Sequence, residues 1–421
     1  MSTRNISLNK FLTILFFIAI DVYVYSALRK SIQKSKFKVI WNIMAFILLI
    51  VGYLGLYMMY LNIVNKPLQA DLKTNLLIGF FFSFFVFKLM LFFFFLAEDI
   101  FRLLKLFYHA IVFFFKKEKQ AIKTSSRRKF IRQIGLTTAA IPFASMLYGI
   151  TKGKYNFKVN NLKLAFKNLP KSFDGFKIVQ ISVIHSGSFD SKEAIINAVD
   201  LINQQNADVI MFTGDLVNND SREIEPYIDV FKQLKAKNGV YSILGNHDYG
   251  DYKKWNSEKE KQDNFDLMLE YHKKMNFKLL TNQNTIITKN GEDIGVFGVE
   301  NWGKPPFPQK GDLDIALSGI EGIPFKILLS HDPTHWTKKV LPHKTHFDLT
   351  LSGHTHGMQF GIEIPGFIKW SPIKYIYPQW AGLYEKSKQY LYVNRGFGFL
   401  GFPGRAGIMP EITVIELNHI S

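Results

Sequence analysis

The sequence predicts an α/β protein in which N-terminal transmembrane helices precede a layered α/β domain. Two observations lead to this class: long apolar segments occur only in the first 150 residues, and from residue 156 onward short β-rich runs alternate with polar, helix-like stretches. At 421 residues the chain is too long for one ordinary domain. We predict a membrane domain over 1–115, a basic segment with a fourth apolar stretch over 116–155, and a folded domain over 156–421.

Three apolar segments, at 11–28, 39–64 and 76–96, are long enough to cross a membrane. Each has close to the roughly 20 residues that span the hydrocarbon core. Helices of a soluble protein are a poorer explanation, because three nearly uncharged runs are hard to bury in one core. Asp21 and Lys88 interrupt the runs, and an ionisable group in a span can be functional. Alternatively, Asp21 could lie near a helix end and Lys88 could extend toward the headgroups.

Basic charge is concentrated around these apolar segments. Residues 1–150 contain 20 Lys and Arg and 5 acids, a net charge of +15, which leaves +3 for the remaining residues. Because this charge lies in short blocks and not on a folded surface, we expect no nucleic-acid partner. The positive-inside rule makes the basic stretches 29–38 and 116–132 cytoplasmic. We therefore expect a multi-pass protein of the bacterial cytoplasmic (inner) membrane with its C-terminal domain on the periplasmic or extracytoplasmic side.

The run SRRKFI at 126–131 precedes a stretch of small and apolar residues at 135–150. Together they resemble a twin-arginine export signal placed inside the chain. A plain fourth span is the alternative, since basic residues precede many spans. Both interpretations put the C-terminal domain outside the cytoplasm, and without a convincing cleavage site we expect the protein to stay in the membrane.

Polar side chains gather where predicted strands of the C-terminal part end. We predict strands at 176–182, 207–213, 240–244, 278–280, 285–288, 292–299, 326–330, 349–352, 389–394 and 411–417. Their ends carry His185, Gly214-Asp215, Gly245-Asn246-His247-Asp248, His331 and Gly353-His354-Thr355-His356. Open α/β sheets bind ligands at such ends. Imidazole nitrogens and carboxylate oxygens suit zinc and harder divalent metals, and Asp215 at a tight turn could bridge two ions. The absence of cysteine excludes thiolate ligands.

This ordered set of motifs resembles the calcineurin-like metallophosphoesterase family, over about 176–417. The resemblance implies a four-layer α/β/β/α fold and two divalent metal ions, with manganese, iron, zinc and magnesium all acceptable. The closing runs at 392–396 and 410–415 are similar to the branch that contains exported, membrane-associated phosphodiesterases and relatives of UDP-diacylglucosamine pyrophosphatase.

The resemblance also implies roles for individual residues. The first metal would be held by His185, Asp215 and His356, and the second by Asp215, Asn246, His331 and His354. A metal-bridging hydroxide would attack phosphorus in line while His247 donates a proton to the leaving oxygen or stabilises the developing charge. Asp248 would orient His247.

One position departs from the family pattern. The family begins with Asp-x-His, whereas this chain has Val183-Ile184-His185, so the first site loses a ligand and a negative charge. Three interpretations stay open: an engineered or natural inactivating change, an enzyme with one metal or a weakened first site, and replacement by another carboxylate such as Asp190. We expect the complete second site to bind metal.

Other candidates concern the substrate. Arg395 could pair with a phosphate or be structural, and Asn301 and Trp302 could line the substrate pocket or form a turn. The run at 396–401 fits a dinucleotide-binding pattern, but Pro403 and Gly404 follow where a helix should begin. Its apolar residues Phe397, Phe399, Leu400 and Phe402 could touch lipid or simply pack as a loop.

Two functions remain from the sequence. The first is hydrolysis of a phosphodiester or pyrophosphate bond in an envelope substrate, with lipid-linked substrates and membrane lipid as partners favoured by the anchor. The second is a catalytically impaired, membrane-anchored protein that binds phosphate or a lipid headgroup, which Val183 makes more credible.

Overall fold

The computed structural model describes residues 3–33, 36–65, 67–116, 125–364 and 366–420. The chain forms two compact units. The first comprises Met1–Val64 and Leu76–Tyr148, and the second comprises Asn65–Asn75 and Gly149–Ser421. The short segment Asn65–Asn75 therefore belongs with the C-terminal domain, although it lies far from that domain in sequence.

The first unit is helical. Its helices are α1 (Thr3–Gln33), α2 (Lys38–Asn65), α3 (Leu72–Lys116) and α4 (Ser125–Thr151). Within the described residues, three segments are long and apolar enough to cross a membrane: Lys38–Asn65, Leu72–Phe115 and Gln133–Thr151. Helix α3 continues without a break through 100–115, so this stretch extends the helix and does not form a separate one. The side chains of Arg127 and Arg128 lie outside the described residues, and the export signal stays a prediction.

The two ionisable residues of the apolar segments contact each other in this unit. Lys88 forms an ion pair with Asp21, and the Tyr53 hydroxyl donates to Asp21 Oδ2 at 2.7 Å. Pairing of opposite charges is the usual way in which ionisable side chains are tolerated inside a membrane. It also replaces the two separate explanations, a helix-end aspartate and a lysine extending to the headgroups.

The second unit is built on strands. In chain order they are β1 (Lys158–Phe166), β2 (Phe176–Ile181), β3 (Val209–Thr213), β4 (Val240–Ile243), β5 (Phe277–Leu279), β6 (Gln283–Lys289), β7 (Glu292–Gly298), β8 (Lys326–Leu329), β9 (Leu349–Ser352), β10 (Ile362–Ile364), β11 (Ile368–Trp370), β12 (Gly382–Lys386), β13 (Gln389–Val393) and β14 (Glu411–His419). One six-stranded sheet has the order β1-β14-β2-β3-β4-β5, and a second has the order β12-β13-β9-β8-β7-β6. Strands β10 and β11 pair as a separate antiparallel hairpin.

These sheets form the middle of a four-layer α/β/β/α domain. A core between them contains Ile178, Val209 and Ile243 of the first sheet and Ile327 and Leu349 of the second. The other face of the first sheet packs in a core with α5 (Lys192–Asn203), α6 (Ile228–Phe231) and α7 (Glu258–Lys274). The other face of the second sheet packs with α8 (Leu313–Leu317). A strand that is buried on both faces has a continuous run of apolar residues. For this reason β2 and β3 could be predicted from the sequence.

Candidate metal centre

The predicted ligands follow the carboxyl ends of strands in both sheets. His185 follows β2, Asp215 follows β3 and Asn246 follows β4, whereas His331 follows β8 and both His354 and His356 follow β9. Parallel pairing within β2-β3-β4 and within β8-β9 brings these ends to one edge of each sheet.

Unusual backbone conformations bring the ligand loops together. His185, Asp215, His354 and His356 all have positive φ, between 49° and 68°. Such angles are costly outside glycine and concentrate at functional sites. Gly245 permits a close approach of two of these loops, because a Cβ there would lie 2.2 Å from Asp215 Oδ1.

The donors expected for the second metal form one cluster. Asp215 Oδ2 lies 3.1 Å from His331 Nε2, which lies 3.3 Å from His354 Nδ1. The Asn246 side chain donates from Nδ2 to the Tyr252 hydroxyl at 2.9 Å. Its Oδ1 is buried and has no hydrogen-bond partner among the described residues. A buried oxygen without a donor is costly, so this atom is suited to a cation.

The donors expected for the first metal lie on the other side of Asp215. His185 Nε2 is 3.5 Å from Asp215 Oδ2, and the rings of His185 and His356 stack with centroids 4.9 Å apart. His185 Nε2 and His356 Nδ1 are buried without a hydrogen-bond partner in the described part of the chain. The residues present therefore fit a cation here as well, although with one ligand fewer than the family pattern.

Backbone carbonyls fix two of the imidazoles. His185 donates from Nδ1 to Val217 O at 3.1 Å, and His331 donates from Nδ1 to Thr213 O at 2.6 Å. Each bond occupies Nδ1, so that Nε2 is the ring nitrogen directed at Asp215. Ligand histidines are commonly oriented in this way.

Burial and the local charges set the protonation of the cluster. Burial, and then the neighbouring His247, lower the pKa of His185 to about 3, and burial also lowers the pKa of His354. Neutral imidazole is the form that binds metal. Burial would raise the pKa of Asp215, but His331 and His247 hold it well below its usual range. Burial opposes protonation of His331, yet the Asp215 carboxylate outweighs it and raises the pKa of His331 to about 9.

His247 faces the cluster from its rim. A ring nitrogen of His247 lies within 4.8 Å of ligand atoms of His185 and Asp215. Its backbone N–H donates to Asp215 Oδ1 at 2.9 Å, and its Nδ1 donates to Asn218 O at 2.6 Å. The Asn218 carbonyl thus orients the His247 ring, and Nε2 is the ring nitrogen that stays available to a bound molecule.

The predicted role of Asp248 as the residue that orients His247 is wrong in this structure. The Asp248 carboxylate accepts backbone N–H groups from Gly245, Asp215 and Leu216 at 2.7 to 2.9 Å. It therefore ties the loop after β3 to the loop after β4. Both oxygens of Asp248 accept backbone N–H groups, and the His247 ring is oriented by the carbonyl of Asn218 instead.

Val183 lies fully buried at the position of the missing ligand, with φ 48°. A positive φ is a real outlier for a β-branched residue. Asp190 does not replace the carboxylate. Its Oδ2 pairs with Lys154 and accepts from Asn75 Nδ2 at 2.7 Å, and its Oδ1 accepts from the Tyr155 hydroxyl at 2.9 Å.

A buried guanidinium lies behind the first set of donors. Arg405 donates from Nε to Gly398 O at 2.8 Å, and its Nη1 approaches His356 O at 3.5 Å. Among the described residues it has no carboxylate within ion-pair distance. After burial and His185, its charge is the next cause that lowers the pKa of His356. The first set of donors thus combines a lost negative charge with a nearby positive one.

The predicted substrate residues lie in different places. The prediction that Arg395 binds a phosphate is wrong. Its guanidinium forms ion pairs with Glu363 and with Glu411 Oε2, the latter at 2.6 Å. Asn301 is buried and donates to Pro308 O at 2.9 Å, and Trp302 packs against His335. Their loop nevertheless reaches the centre, since Phe307 meets the His354 ring edge-on with centroids 4.9 Å apart. It remains a candidate wall of the substrate site.

Sequence reasoning missed two tyrosines that touch the ligands. The Tyr252 ring lies 4.5 Å from the His247 ring, and its hydroxyl accepts from Asn246. The Tyr377 hydroxyl lies 2.8 Å from His354 Nε2. Tyr252 could have been suspected from its position five residues after His247, whereas Tyr377 lies in a loop without any motif.

Comparisons with known proteins identify the family of the chain. A family model described as calcineurin-like phosphoesterase matches residues 176–358, and one for the transmembrane domain of calcineurin-like phosphoesterases matches residues 4–154. An uncharacterised metallophosphoesterase of Bacillus subtilis (strain 168) is 30% identical over 308 residues, which are 70% of this chain and 99% of that protein. A transmembrane protein with a metallophosphoesterase domain from Danio rerio is 28% identical over 72% of this chain and 65% of that protein. The solved structure of Haemophilus influenzae NAD nucleotidase superposes with a TM-score of 0.36 at 13% identity, over 53% of this chain and 45% of that one.

Proposed function

The chain belongs to the calcineurin-like metallophosphoesterases with a transmembrane part, and from this we propose that it hydrolyses a phosphodiester or pyrophosphate bond of a lipid-linked envelope substrate. The supporting observation is the convergence of Asp215, His331 and His354, whose ligand atoms lie within 4.8 Å of one another at the ends of strands from two sheets. The loop after β4 adds the buried Oδ1 of Asn246, which has no hydrogen-bond partner among the described residues. A divalent cation bound there would act as a Lewis acid on the phosphoryl group and activate water.

The residues of this chain contribute position and proton transfer. Asp215 stays ionised and accepts the backbone N–H of His247, which fixes the distance between the donor cluster and the His247 ring. Because Nδ1 of His247 donates to Asn218 O, the second ring nitrogen is the one that would give a proton to the leaving oxygen. The Asn246 side chain donates from Nδ2 to the Tyr252 hydroxyl, which leaves its buried Oδ1 as the atom available to a cation.

The way in which the domain is tethered supports a substrate in the cell envelope. Within the second unit, Ala70 N donates to Gly187 O at 2.9 Å and Gln69 Nε2 donates to Glu223 O at 2.5 Å. Residues between α2 and α3 thus contact the domain that follows α4. This supports a topology in which both lie on the same side of the membrane, and the basic blocks at 29–38 and 116–132 assign that side as extracytoplasmic.

The second candidate, a binding protein without turnover, is favoured by one observation. Val183 removes a carboxylate beside a buried Arg405 that has no carboxylate partner among the described residues. Both features weaken cation binding by His185 and His356. The ligands expected for the second metal, around His331, are not affected by Val183. We therefore expect a bound cation in both candidate functions.

Hydrolysis of bis(4-nitrophenyl) phosphate by the full chain in detergent separates the two candidates. We expect turnover that is lost on chelation, restored by Mn²⁺ and lowered about 100-fold or more in His247→Gln, because the proton donor is removed. His346→Gln is the matched control, since His346 is half exposed and paired only with Asp348. Metal-dependent binding of phosphate without turnover would support the second candidate, and full turnover after chelation would contradict both.

A further inference from the structure

An exposed apolar segment follows directly after the ligand His356. We call residues 358–364 and 366–376 the apolar flap. Its side chains include Phe367, which is 86% exposed, Tyr375, which is 76% exposed, and Ile376, which is 67% exposed. Exposure of one apolar side chain is ordinary, but a run of large ones in a single segment marks an interaction surface.

The hairpin in this flap has one apolar face and one polar face. Ile364 and Ile368 are cross-strand partners in the β10–β11 pair, and Ile362 lies two residues from Ile364. Side chains two apart, and side chains directly opposite in an antiparallel pair, share a face, so these three exposed isoleucines lie together. Glu363 points to the other face, where it forms an ion pair with Arg395. The apolar face is therefore left to an external partner.

The charge of the flap suits an anionic lipid surface. Its one carboxylate in the sequence, Glu363, is neutralised by Arg395, while Lys374 is exposed beside Tyr375. Aromatic and aliphatic side chains with flanking lysines are typical of segments that lie in the headgroup region of a membrane.

The flap is also attached to the metal centre. Ser371 Oγ donates to Gly357 O at 2.8 Å, next to His356, and the residue that follows the flap, Tyr377, contacts His354. In addition, Gly361 N donates to Ala406 O at 3.0 Å. The flap is thus connected at Ser371 and at Tyr377 to the loop that carries His354 and His356.

We propose that the apolar flap docks into the headgroup boundary of the membrane that the chain itself crosses, and that lipid is its occupant. The tether supports this partner. Only residues 152–157 separate the end of α4 at Thr151 from the start of β1, a spacer of at most about 20 Å when fully extended. Because α4 contains the candidate span Gln133–Thr151, a bilayer is the apolar surface always within reach.

Depth-dependent fluorescence quenching tests this docking on the full chain. Since the chain has no cysteine, Phe367→Cys and Ile376→Cys each accept a single environment-sensitive label. Ile315→Cys is the matched control, because Ile315 is 59% exposed on α8, outside the flap. In vesicles of phosphatidylethanolamine and phosphatidylglycerol that contain spin-labelled lipid, we expect labels at 367 and 376 to be quenched several times more strongly than the label at 315.

Equal quenching at all three positions would overturn the proposal. Energy transfer between labels on different chains without lipid quenching would also overturn it, since a second copy would then cover the flap. The proposal does not require turnover, so a chain that hydrolyses nothing but is quenched at 367 would refute the proposed function and leave docking in place. Where turnover is present, the double variant Phe367→Ser, Ile376→Ser should hydrolyse a vesicle-borne phosphodiester more slowly. Its hydrolysis of the soluble substrate bis(4-nitrophenyl) phosphate should be unchanged. An equal loss of activity on both substrates would count against docking as the means of substrate access.

Discussion

Asp248 shapes the metal centre without a direct role toward His247. Its two oxygens accept N–H groups from residues on two different loops, Gly245 on one and Asp215 and Leu216 on the other. Burial and the neighbouring Asp215 raise the pKa of Asp248 to about 7, whereas the backbone N–H groups stabilise its ionised form. We infer that Asp248 keeps Asp215 and Asn246 at a fixed separation.

Substitution of Asp248 by asparagine tests this role. The amide NH₂ would face backbone N–H donors, so we expect Asp248→Asn to lower the free energy of unfolding by roughly 3 kcal/mol and to reduce metal content. Asp251→Asn is the control, because Asp251 forms only a half-exposed pair with Lys261. Thermal unfolding and elemental analysis measure the two effects. Reduced turnover with unchanged stability and metal content would restore the original prediction that Asp248 orients His247.

At the level of strands and loops, the sequence predicts the site well and its surroundings poorly. His185, Asp215 and His354 could be placed because each follows an apolar run, and the carboxyl ends of parallel strands meet at one edge. Strand β1 was missed because it is an edge strand, KVNNLKLAF, in which two asparagines and two lysines interrupt the apolar residues. Strands β10, β11 and β12 were not predicted either, whereas the boundaries of the ten predicted strands agree within two residues.

Errors about single side chains arise from partners that are distant in sequence. Arg395 looked free because Glu363 lies 32 residues away. Phe397 and Phe399, considered as lipid contacts, are buried in the core of the first sheet, whereas the exposed apolar residues lie in the flap. No periodicity within a short loop reports such packing, since it depends on which strands become neighbours.

The linker after α4 offers a prediction at this scale. Lys154 is buried and paired with Asp190, whose loop also carries His185. Lys154→Met would leave the carboxylate buried without its counter-charge, and we expect the domain to lose about 3 kcal/mol of stability. Lys163→Met is the control, because the Lys163–Glu416 pair is exposed and should contribute little to stability. Equal shifts in thermal unfolding for the two variants would contradict a structural role for the buried pair.

For the whole molecule, the contacts of residues 69–75 with the domain restrict the topology. They support the proposed topology, in which the connection between α2 and α3 lies on the same side of the membrane as the candidate metal centre. The positive-inside rule reaches the same arrangement from charge alone. Agreement between a contact and a charge pattern is stronger support than either alone.

Labelling of single cysteines in intact cells tests this topology. We expect a membrane-impermeant maleimide to react with Leu68→Cys and Lys388→Cys from outside, because both positions are exposed in the second unit. Lys36→Cys, in the basic loop after α1, should react only after the cells are permeabilised. Reaction of positions 68 and 388 from opposite sides would contradict the arrangement.

The most direct test of the metal centre is the number of divalent ions bound per chain. The donors around His331 are complete and those around His185 lack the carboxylate that Val183 replaces. Elemental analysis of the purified full chain should therefore give one ion, and Val183→Asp should give two together with faster phosphodiester hydrolysis. Val183→Asn, which restores polarity without charge, should stay at one. Two ions in the unaltered chain, or no gain in Val183→Asp, would contradict this account of the site.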